Sequence, residues 1–382
     1  MPKKLKVVHI ISGLGQGGAE QALFRLVIEQ SVIAESIVVS LSGQQVFGPI
    51  LARNGIRVID LKFQKFSPNF IGLFKLWKII REEHPDVVQT WMYHADLIGG
   101  VIGRLAGVKK IFWGVVHYNL DKAVTSPFTR IVAGLCAKLS NFIPEKIVSC
   151  AYEAVNSHTS IGYDPDQFVV IPLGFDAGLL QASSELRKKF RTSHNLSDQT
   201  IVFGCAARWH PQKDHANLIS ALGHLIRRNQ DIVLVLVGDG LIKENATLTS
   251  QIQENHIPDA MIMRLGRIEN MDAFYSSLDL FILPSRGEAF PNVIAEAMSY
   301  GVPCIATDVG DVRTVIGNTG WIVPSRAPKQ LAEAMDQAVH CFRKDKDAWD
   351  QRKAACRQAI TKRFSLGQMS EAYLLTWGVN YP

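Results

Sequence analysis

Short apolar segments alternate along the chain with segments of helical periodicity. Strands are predicted at residues 7–11, 36–41, 58–61, 87–90, 110–116, 146–148, 168–171, 201–206, 232–237, 261–265, 280–283, 302–306 and 321–323. Helices are predicted at residues 19–30, 70–83, 95–106, 126–139, from 151, 183–193, 216–228, 245–255, 291–300, 328–359 and 365–376. Strands that are apolar throughout and separated by helices are typical of parallel sheets covered on both faces. The pattern predicts an α/β protein.

The chain divides near residue 172. The segment Pro172–Asp176 contains Pro and Gly, which indicates a hinge or linker, and a second strand–helix series begins after it. The 382 residues are enough for two cores. We therefore expect two doubly wound domains, residues 1–172 and 173–362, facing each other across a cleft.

Composition excludes several classes of protein. The chain is 47% hydrophobic and 20% charged, as is common for globular proteins. No apolar run reaches the roughly 18 residues that cross a bilayer, and the first strand is too short for a signal-peptide core. The six cysteines form no C-x-x-C pair, so buried thiols are expected rather than disulfides or zinc. The predicted location is the cytoplasm.

Positive charge is concentrated in the first half. Residues 1–172 carry 18 Lys and Arg against 13 Asp and Glu, or +5 of the total +6. No basic-aromatic motif for reading nucleic acid is present, so no nucleic-acid partner is expected. Aromatic residues and lysines alternate in Lys62–Phe66 and Phe70–Lys78, a pattern that suits an anionic membrane surface. Alternatively, these aromatic residues pack on the sheet.

Two glutamates flank the start of a predicted helix. Glu288 lies in the turn after strand 280–283, and Glu296 lies eight residues later on the helix that Pro291 opens. Free N–H groups at such a helix start suit a phosphate, and a nearby acid can bind sugar or ribose hydroxyls. The alternative is that Glu288 caps the helix and Glu296 lies on a solvated face.

Two cations follow the first strand of the second domain. Arg208 and Lys213 lie five residues apart at the end of strand 201–206. Arg can bind a diphosphate through two hydrogen bonds, and Lys binds it as a point charge. A solvated turn is the alternative. Such cations would replace a metal ion, and no metal site is expected, because Asp164-Pro165-Asp166 is better explained as a turn.

A glycine-rich loop follows the first strand of the chain. Gly13, Gly15 and Gly18 satisfy G-x-G-x-x-G, the pattern of a dinucleotide site. That site needs an acid after the second strand, and Ser40–Gly43 contains none. The prediction is a loop whose backbone closely approaches a charged or bulky ligand, with a purely structural turn as the alternative.

Polar residues follow two adjacent strands of the first domain. Tyr93, His94 and Asp96 come after strand 87–90, and His117 and Asn119 come after strand 110–116. Side chains at neighbouring strand ends can together line a ligand pocket. His94 and Asp96 could equally serve as helix-entry residues, and a lone His such as His117 is more often structural.

These motifs resemble the retaining GT-B glycosyltransferases of family 4, also called glycosyl transferases group 1. The resemblance rests on three motifs: the E-x7-E of Glu288 and Glu296, the R-x4-K of Arg208 and Lys213, and the G-G-A-E of Gly17–Glu20. The chain looks closest to the bacterial surface-polysaccharide branch. It departs from the family at Ala207 and Asp214, where Gly is usual. The resemblance implies a GT-B fold of two Rossmann-like domains facing a central cleft, with residues 363–382 forming a helix that crosses back to the first domain.

The resemblance also implies roles for individual residues. The first domain would bind the acceptor and the second the nucleotide sugar. The implied catalytic residues are His117, which contacts the donor sugar, Glu288, Arg208 and Lys213. The implied donor-binding residues are Gly15, Gly17, Gly18, Arg208, Lys213, Gly266, Arg267, Ile268, Glu288, Ala289, Phe290, Pro291, Asn292, Val293 and Glu296. The predicted acceptor-binding residues are Tyr93, His94, Asp96 and Asn119.

The function implied is that of a hexosyltransferase-type enzyme. It would move a sugar from a nucleotide sugar, UDP-linked rather than GDP-linked, to a glycan or a polyprenyl-diphosphate-linked glycan in O-antigen or capsule biosynthesis. Retention of configuration and independence of metals and cofactors follow from the same resemblance. The enzyme would be cytoplasmic and peripheral at the inner face of the membrane. Two alternatives remain: a nucleotide-sugar epimerase of the same architecture, and a catalytically silent protein bound to a glycan or a membrane.

Overall fold

The computed structural model describes residues 4–63, 69–116, 125–227 and 231–379. The chain forms two compact units. The first unit consists of Met1–Gly174 with Leu366–Pro382, and the second is Phe175–Ser365. Each unit contains one parallel sheet with helices, which confirms the α/β prediction of two doubly wound domains.

The first unit contains a seven-stranded parallel sheet. Its strands are β1 (Leu5–Ile11), β2 (Ala34–Ser40), β3 (Arg57–Asp60), β4 (Val87–Trp91), β5 (Ile111–Val115), β6 (Lys146–Ser149) and β7 (Phe168–Val170). The spatial order is β3-β2-β1-β4-β5-β6-β7. The order reverses between β1 and β4, and ligands of open α/β sheets bind at such switch points, outside the carboxyl ends of the strands.

Helices connect these strands. They are α1 (Gly18–Glu29), α2 (Phe47–Arg53), α3 (Phe70–Glu83), α4 (Tyr93–Leu105), α5 (Pro127–Leu139) and α6 (Tyr152–Thr159). The helices α3, α4 and α5 pack side by side in that order. Their inward-facing apolar residues form one core with the sheet, including Ile10, Leu76, Val88, Trp113 and Val132.

The second unit contains a six-stranded parallel sheet. Its strands are β8 (Ile201–Ala206), β9 (Ile232–Val237), β10 (Ile262–Gly266), β11 (Leu280–Leu283), β12 (Cys304–Thr307) and β13 (Trp321–Val323), in the spatial order β10-β9-β8-β11-β12-β13. The helices are α7 (Ser184–Ser193), α8 (His215–Leu225), α9 (Ala246–Glu254), α10 (Met271–Ser277), α11 (Asn292–Ser299), α12 (Val312–Ile316), α13 (Pro328–Lys344) and α14 (Lys346–Arg363). The order reverses between β8 and β11, which makes their carboxyl ends the second switch point.

The last helix, α15 (Leu366–Thr376), belongs to the first unit although it follows the second in the chain. It packs against α1. Tyr373 stacks on Trp91, and the indole N–H of Trp377 donates to Gln89 Oε1 at 3.1 Å. Because these aromatic residues are buried, α15 is an integral part of the core of the first unit.

Most predicted elements are confirmed, and the differences are local. The sequence analysis missed three short helices, α2, α10 and α12, and the predicted helix 328–359 is two helices separated at Asp345. Pro291 caps α11 rather than lying in its first turn. The six cysteines, all among the described residues, form no disulfide. In the part of the chain described, no helix combines the length and apolarity needed to cross a membrane.

Candidate active site

The predicted donor residues of the second unit lie after β8 and β11. These two strands are neighbours in the sheet, so the loops that follow them emerge side by side. Arg208 and Lys213 lie in the loop after β8, and Glu288 lies in the loop after β11. The topology therefore brings residues 75 positions apart in sequence to the switch point of this sheet.

An ion pair joins the two loops. Lys213 Nζ lies 2.6 Å from Glu288 Oε1, and the two side chains are only 22% and 12% exposed. Ser285 Oγ donates to the same carboxylate oxygen at 2.6 Å. Glu288 thus accepts hydrogen bonds from other side chains, and none of its described contacts is with the start of α11. This arrangement differs from the helix-capping alternative.

Three hydrogen bonds beside this pair hold the loops together. Gln212 Nε2 donates to Gly287 O at 2.7 Å, and Arg286 N donates to Gln212 O at 2.7 Å. The Arg286 guanidinium donates to Asp214 Oδ1, also at 2.7 Å. The sequence analysis did not single out Gln212 or Arg286. Their only sequence signal is adjacency to Lys213 and Glu288.

Asp214, where the family resemblance implies glycine, adopts a left-handed backbone. Its φ of +47° lies in the left-handed region, which Asp and Asn enter more readily than other side chains. The carboxylate is almost fully buried, and its bond to Arg286 offsets the cost of both burial and backbone strain. Asp214 therefore adopts a backbone conformation that favours glycine and makes a contact that glycine cannot make.

The charges of Arg208 and Lys213 both act on His210. Partial burial lowers the pKa of His210, and the charges of Arg208 and Lys213 lower it further. The pKa of the Cys205 thiol is raised to about 12, mainly by burial. The positive charge of Lys213 lowers this pKa, and the negative charge of Glu288 raises it. Both cations therefore act on one region at the end of β8, where a diphosphate would be attracted.

The start of α11 provides backbone donors next to Glu288. Within the described residues, the N–H groups of Phe290 and Val293 have no hydrogen-bond acceptor, as expected in the first turn of a helix. Gly310 packs against this turn so closely that a Cβ atom would lie 2.1 Å from Glu288 O. Ala289, Pro291 and Asn292 complete the turn. This amide-rich corner suits an anion.

The second glutamate of the motif lies on α11 with a buried partner. Tyr275 OH donates to Glu296 Oε2 at 2.9 Å. Tyr275 also stacks on Tyr300, whose hydroxyl donates to Asp272. Burial and the charge of Glu296 raise the pKa of Tyr275, so the phenol stays a hydrogen-bond donor at neutral pH. Tyr275 lies 21 residues before Glu296, and the sequence analysis did not identify it.

The implied donor-binding residues Gly266, Arg267 and Ile268 lie at and after the end of β10. Gly266 has a φ of +63°, and its carbonyl accepts from Gly238 N at 2.8 Å. Arg267 is exposed and lies 3.4 Å from Asp239, and Ile268 is partly exposed. In the sheet, β10 is separated from β8 by β9. The structure therefore places these residues at the same edge as Arg208, two strands away.

In the first unit, the glycine loop follows β1 as predicted. Gly17 caps α1, and Gly18 is its first residue. A Cβ atom at Gly15 would lie 2.8 Å from Gln45 Oε1, and one at Gly17 would lie 2.6 Å from Glu20 Oε2. Both contacts are with ends of flexible side chains. Burial raises the pKa of Glu20, which is consistent with a confined loop.

The predicted acceptor residues are only partly available to a ligand. Tyr93 is buried, and its hydroxyl lies 2.7 Å from His158 Nε2. Asp96 is also buried, and its Oδ1 accepts from Thr90 Oγ1 at 2.5 Å and from Gly114 N at 3.2 Å. These internal partners favour structural roles for Tyr93 and Asp96, and for Asp96 a structural role was one of the two alternatives. His94 is 9% exposed and lies in ring contact with Phe128, whose own side chain is exposed. His117 and Asn119 lie outside the described residues.

Family models match most of the chain. The model described as "Glycosyltransferase Family 4" matches residues 17–179, and the model described as "Glycosyl transferases group 1" matches residues 200–340. The chain is 32% identical over 300 residues to N-acetyl-alpha-D-glucosaminyl L-malate synthase of Bacillus anthracis, covering 68% of this chain and 72% of the relative. The chain therefore belongs to the family 4 glycosyltransferases, as its motifs suggested, and it is an enzyme of glycosyl transfer.

Two further comparisons concern donor, acceptor and fold. The chain is 26% identical over 284 residues to the UDP-Gal:alpha-D-GlcNAc-diphosphoundecaprenol alpha-1,3-galactosyltransferase of Escherichia coli, covering 71% of this chain and 68% of the relative. The structure of Anabaena HepE in complex with UDP-glucose superposes with a TM-score of 0.83 at 20% identity, covering 98% of this chain and 99% of HepE. The fold is therefore GT-B.

Proposed function

We propose that this glycosyltransferase moves a sugar, with retention of configuration, from a UDP-linked donor to a glycan or polyprenyl-diphosphate-linked glycan during synthesis of a bacterial surface polysaccharide. The observation that carries the proposal is the Lys213–Glu288 ion pair beside the N–H groups that open α11. It combines a cation for phosphate with a carboxylate for sugar hydroxyls in one place. The names of the E. coli relative and of the HepE complex support a UDP-sugar, and the former supports a lipid-linked acceptor.

The proposed reaction exchanges one bond at the anomeric carbon. The bond between the sugar and the β-phosphate oxygen breaks, and the acceptor oxygen bonds to the same carbon on the same face. The acceptor proton passes to the departing phosphate. Lys213 carries three N–H donors, so it can bind a phosphate oxygen while it keeps Glu288. Arg208, Lys213 and the N–H groups of α11 stabilise the negative charge that grows on the leaving group.

The remaining predicted residues complete this proposal. Glu288 binds hydroxyls of the transferred sugar, and Glu296 binds the ribose hydroxyls while Tyr275 orients its carboxylate. His117 contacts the donor sugar, and His94 contributes to acceptor binding. Because Arg208 and Lys213 neutralise the diphosphate, we propose that transfer needs no metal ion. We also propose that the enzyme works at the inner face of the cytoplasmic membrane, where a lipid-linked acceptor is found.

The test begins with donor binding. Melting temperatures are measured with UDP-glucose, UDP-galactose, UDP-N-acetylglucosamine and GDP-mannose, since a ligand of the folded state raises the melting temperature. The donor that binds is then incubated with a polyprenyl-diphosphate-linked GlcNAc acceptor in the presence of EDTA. We expect release of UDP and a product whose anomeric configuration, measured by NMR, matches that of the donor. An inverted product, or transfer that EDTA abolishes, would contradict the proposal.

Glu288→Gln separates this proposal from its rivals. The variant should keep UDP binding, because phosphate contacts are retained, and should lose transfer. Conversion of the nucleotide sugar to its epimer without acceptor would indicate the epimerase instead. If none of the four nucleotide sugars raised the melting temperature, the result would indicate the catalytically silent binding protein.

A further inference from the structure

Helix α3 exposes large apolar side chains that do not pack on the sheet. Phe70, Ile71 and Phe74 are 91%, 83% and 64% exposed. Its buried face consists of other residues, including Leu76, Ile79 and Ile80. The sequence interpretation in which these aromatic residues pack on the sheet is therefore wrong for Phe70 and Phe74. Exposed apolar residues that cluster in this way often mark an interaction site.

Helix α5 has a similar exposed stripe. Phe128, Ile131 and Leu135 follow helical spacing and are all exposed, while Val132 and Cys136 are buried. Leu105 at the end of α4 and Phe142 after α5 are exposed as well. The helix layer of the first unit therefore has apolar residues on both of its outer helices.

Phe70, Ile71 and Phe74 lie in the first turns of α3, and Phe128 and Ile131 lie in the first turns of α5, so these five residues lie at one end of one helix layer. The helices pack in the order α3, α4, α5, so α3 and α5 are about 20 Å apart, or two interhelical spacings. All three helices lead into parallel strands of one sheet, so their first turns lie at the carboxyl edge of the strands. Phe128 lies in ring contact with His94, at 5.7 Å between centroids. The apolar surface therefore extends to a residue of the predicted acceptor region.

Cations accompany the apolar residues. Lys75, Lys78 and Arg81 are exposed on α3, and Lys138 is exposed on α5. Lys78 lies 3.6 Å from Glu82, the only acid on the outer face of α3. Aromatic and aliphatic groups that enter the interface, next to lysines that meet lipid phosphates, are the features of helices that lie on anionic membranes.

We propose that α3 and α5 dock the first unit onto an anionic lipid bilayer, with Phe70, Ile71, Phe74, Phe128 and Ile131 in the interface. Charge complementarity favours a bilayer over a second copy of this chain, because two copies would bring the same lysines together. The inference deepens the proposed function and rests on it for its purpose, since it brings His94 to the surface that carries a lipid-linked acceptor. Membrane binding itself does not require activity.

The experiment uses the full chain and vesicles of phosphatidylcholine with and without phosphatidylglycerol. We expect cosedimentation with the anionic vesicles and much weaker binding to the neutral ones. Phe70→Ser/Ile71→Ser/Phe74→Ser should weaken binding at least about tenfold, because three apolar groups lose their burial in the interface. Lys75→Gln/Lys78→Gln should weaken it roughly fivefold per lysine. Val32→Ser/Leu179→Ser, which removes apolar groups equally exposed elsewhere, is the matched control and should bind as wild type does.

Three results would overturn the inference: no binding to anionic vesicles, binding that the triple variant retains, or a concentration-dependent dimer that the triple variant abolishes. The last would show that a second copy covers this surface. Transfer to a water-soluble acceptor is measured in parallel and should be the same in wild type and the triple variant. Vesicle binding without transfer by wild type would refute the proposed function alone, and transfer without vesicle binding would refute the docking surface alone.

Discussion

Lys213 Nζ and Glu288 Oε1 form an ion pair at 2.6 Å. Each is a residue for which a direct contact with the donor is proposed, and each restricts the other. A lysine side chain loses up to about 2 kcal/mol of rotamer entropy when it is fixed. Glu288 fixes Lys213, and Ser285 fixes Glu288, so these contacts within the protein already restrict the lysine side chain. We infer that the site is preorganised for a diphosphate.

Replacing the lysine should affect turnover more than binding. Lys213→Met removes the charge that faces the leaving group but keeps the length of the side chain. We expect kcat to fall about 10²–10³-fold, the range for loss of one group that stabilises charge in the transition state. Steady-state kinetics and calorimetric titration of UDP would measure the two effects. Exposed Lys243→Met is the control, and an unchanged kcat in Lys213→Met would remove this residue from the mechanism.

The Asp214–Arg286 pair should act as a positioning device for both loops. Asp214→Asn keeps a side chain that tolerates the left-handed backbone, and Arg286→Gln removes the other charge. In a double-mutant cycle we expect a coupling of about 1–2 kcal/mol in stability, since Asp214 is buried but Arg286 is partly exposed. Either single variant should also lower kcat, because Lys213 and Glu288 lie on the loops that the pair connects.

The chain supplies its own control for this cycle. Arg313 and Asp308 form an ion pair on the surface of the second unit, with both side chains well exposed. Exposed pairs contribute little. Thermal unfolding of Asp308→Asn, Arg313→Gln and the double variant should therefore show no coupling and no change in kcat. Additive effects at Asp214 and Arg286 would refute the positioning role.

Tyr275 should be needed for nucleotide affinity. Tyr275→Phe removes only the hydroxyl that donates to Glu296 at 2.9 Å and keeps the buried ring. A lost hydrogen bond to a charged group is worth about 1.5–3 kcal/mol. We expect the Kd of UDP to rise at least about tenfold while kcat at saturating donor changes less. Tyr300→Phe, which loses a bond to Asp272 and none to Glu296, is the comparison. An equal rise in both variants would indicate a general loss of packing.

The sequence predicted long elements better than short ones. Strands such as Ile201–Ala206 and Ile232–Val237 have the predicted ends, because six consecutive apolar residues leave little choice of boundary. The helices Phe47–Arg53, Met271–Ser277 and Val312–Ile316 were missed because two turns or fewer do not establish a helical period. The break at Asp345 was missed for another reason: helical residues continue on both sides, and the cap is visible only in the hydrogen bond of Asp345 to Ala348.

Site residues were predictable as motifs but not as contacts. Arg208, Lys213 and Glu288 were identified from the ends of strands, and adjacency of β8 and β11 explains why Lys213 meets Glu288. Sequence spacing does not show that Arg286 forms an ion pair with Asp214 or that Tyr275 donates a hydrogen bond to Glu296, because the two partners in each pair come from different elements. The internal partners of Tyr93 and Asp96 were unpredictable for a similar reason. Tyr93 contacts His158 on α6, and Asp96 accepts from Thr90 on β4.

Asp96 is buried as a single carboxyl group with no cation beside it in the described structure. Burial raises its pKa from 3.8 to about 7, although the bonds from Thr90 and Gly114 lower it in part. Asp96 interacts electrostatically with Tyr93, Cys136 and Tyr163, and burial raises the pKa of each of these three groups. The protonated acid is therefore the form that the fold prefers.

This preference predicts a loss of stability with rising pH. The pKa of Asp96 is about 7 in the folded state and 3.8 in the unfolded state. A raised pKa in the folded state contributes to stability in full below pH 3.8, and this contribution is lost as the pH rises to about 7. At 1.36 kcal/mol per unit of pKa, the loss is on the order of a few kcal/mol. Asp96→Asn imitates the protonated acid, because its Oδ1 can accept the same two hydrogen bonds. The difference in melting temperature between Asp96→Asn and wild type should therefore grow from pH 5 to pH 8, measured by calorimetry. Asp350→Asn, at an exposed carboxylate, should show no such growth, and parallel profiles for Asp96→Asn and wild type would show that Asp96 is already ionised at pH 5.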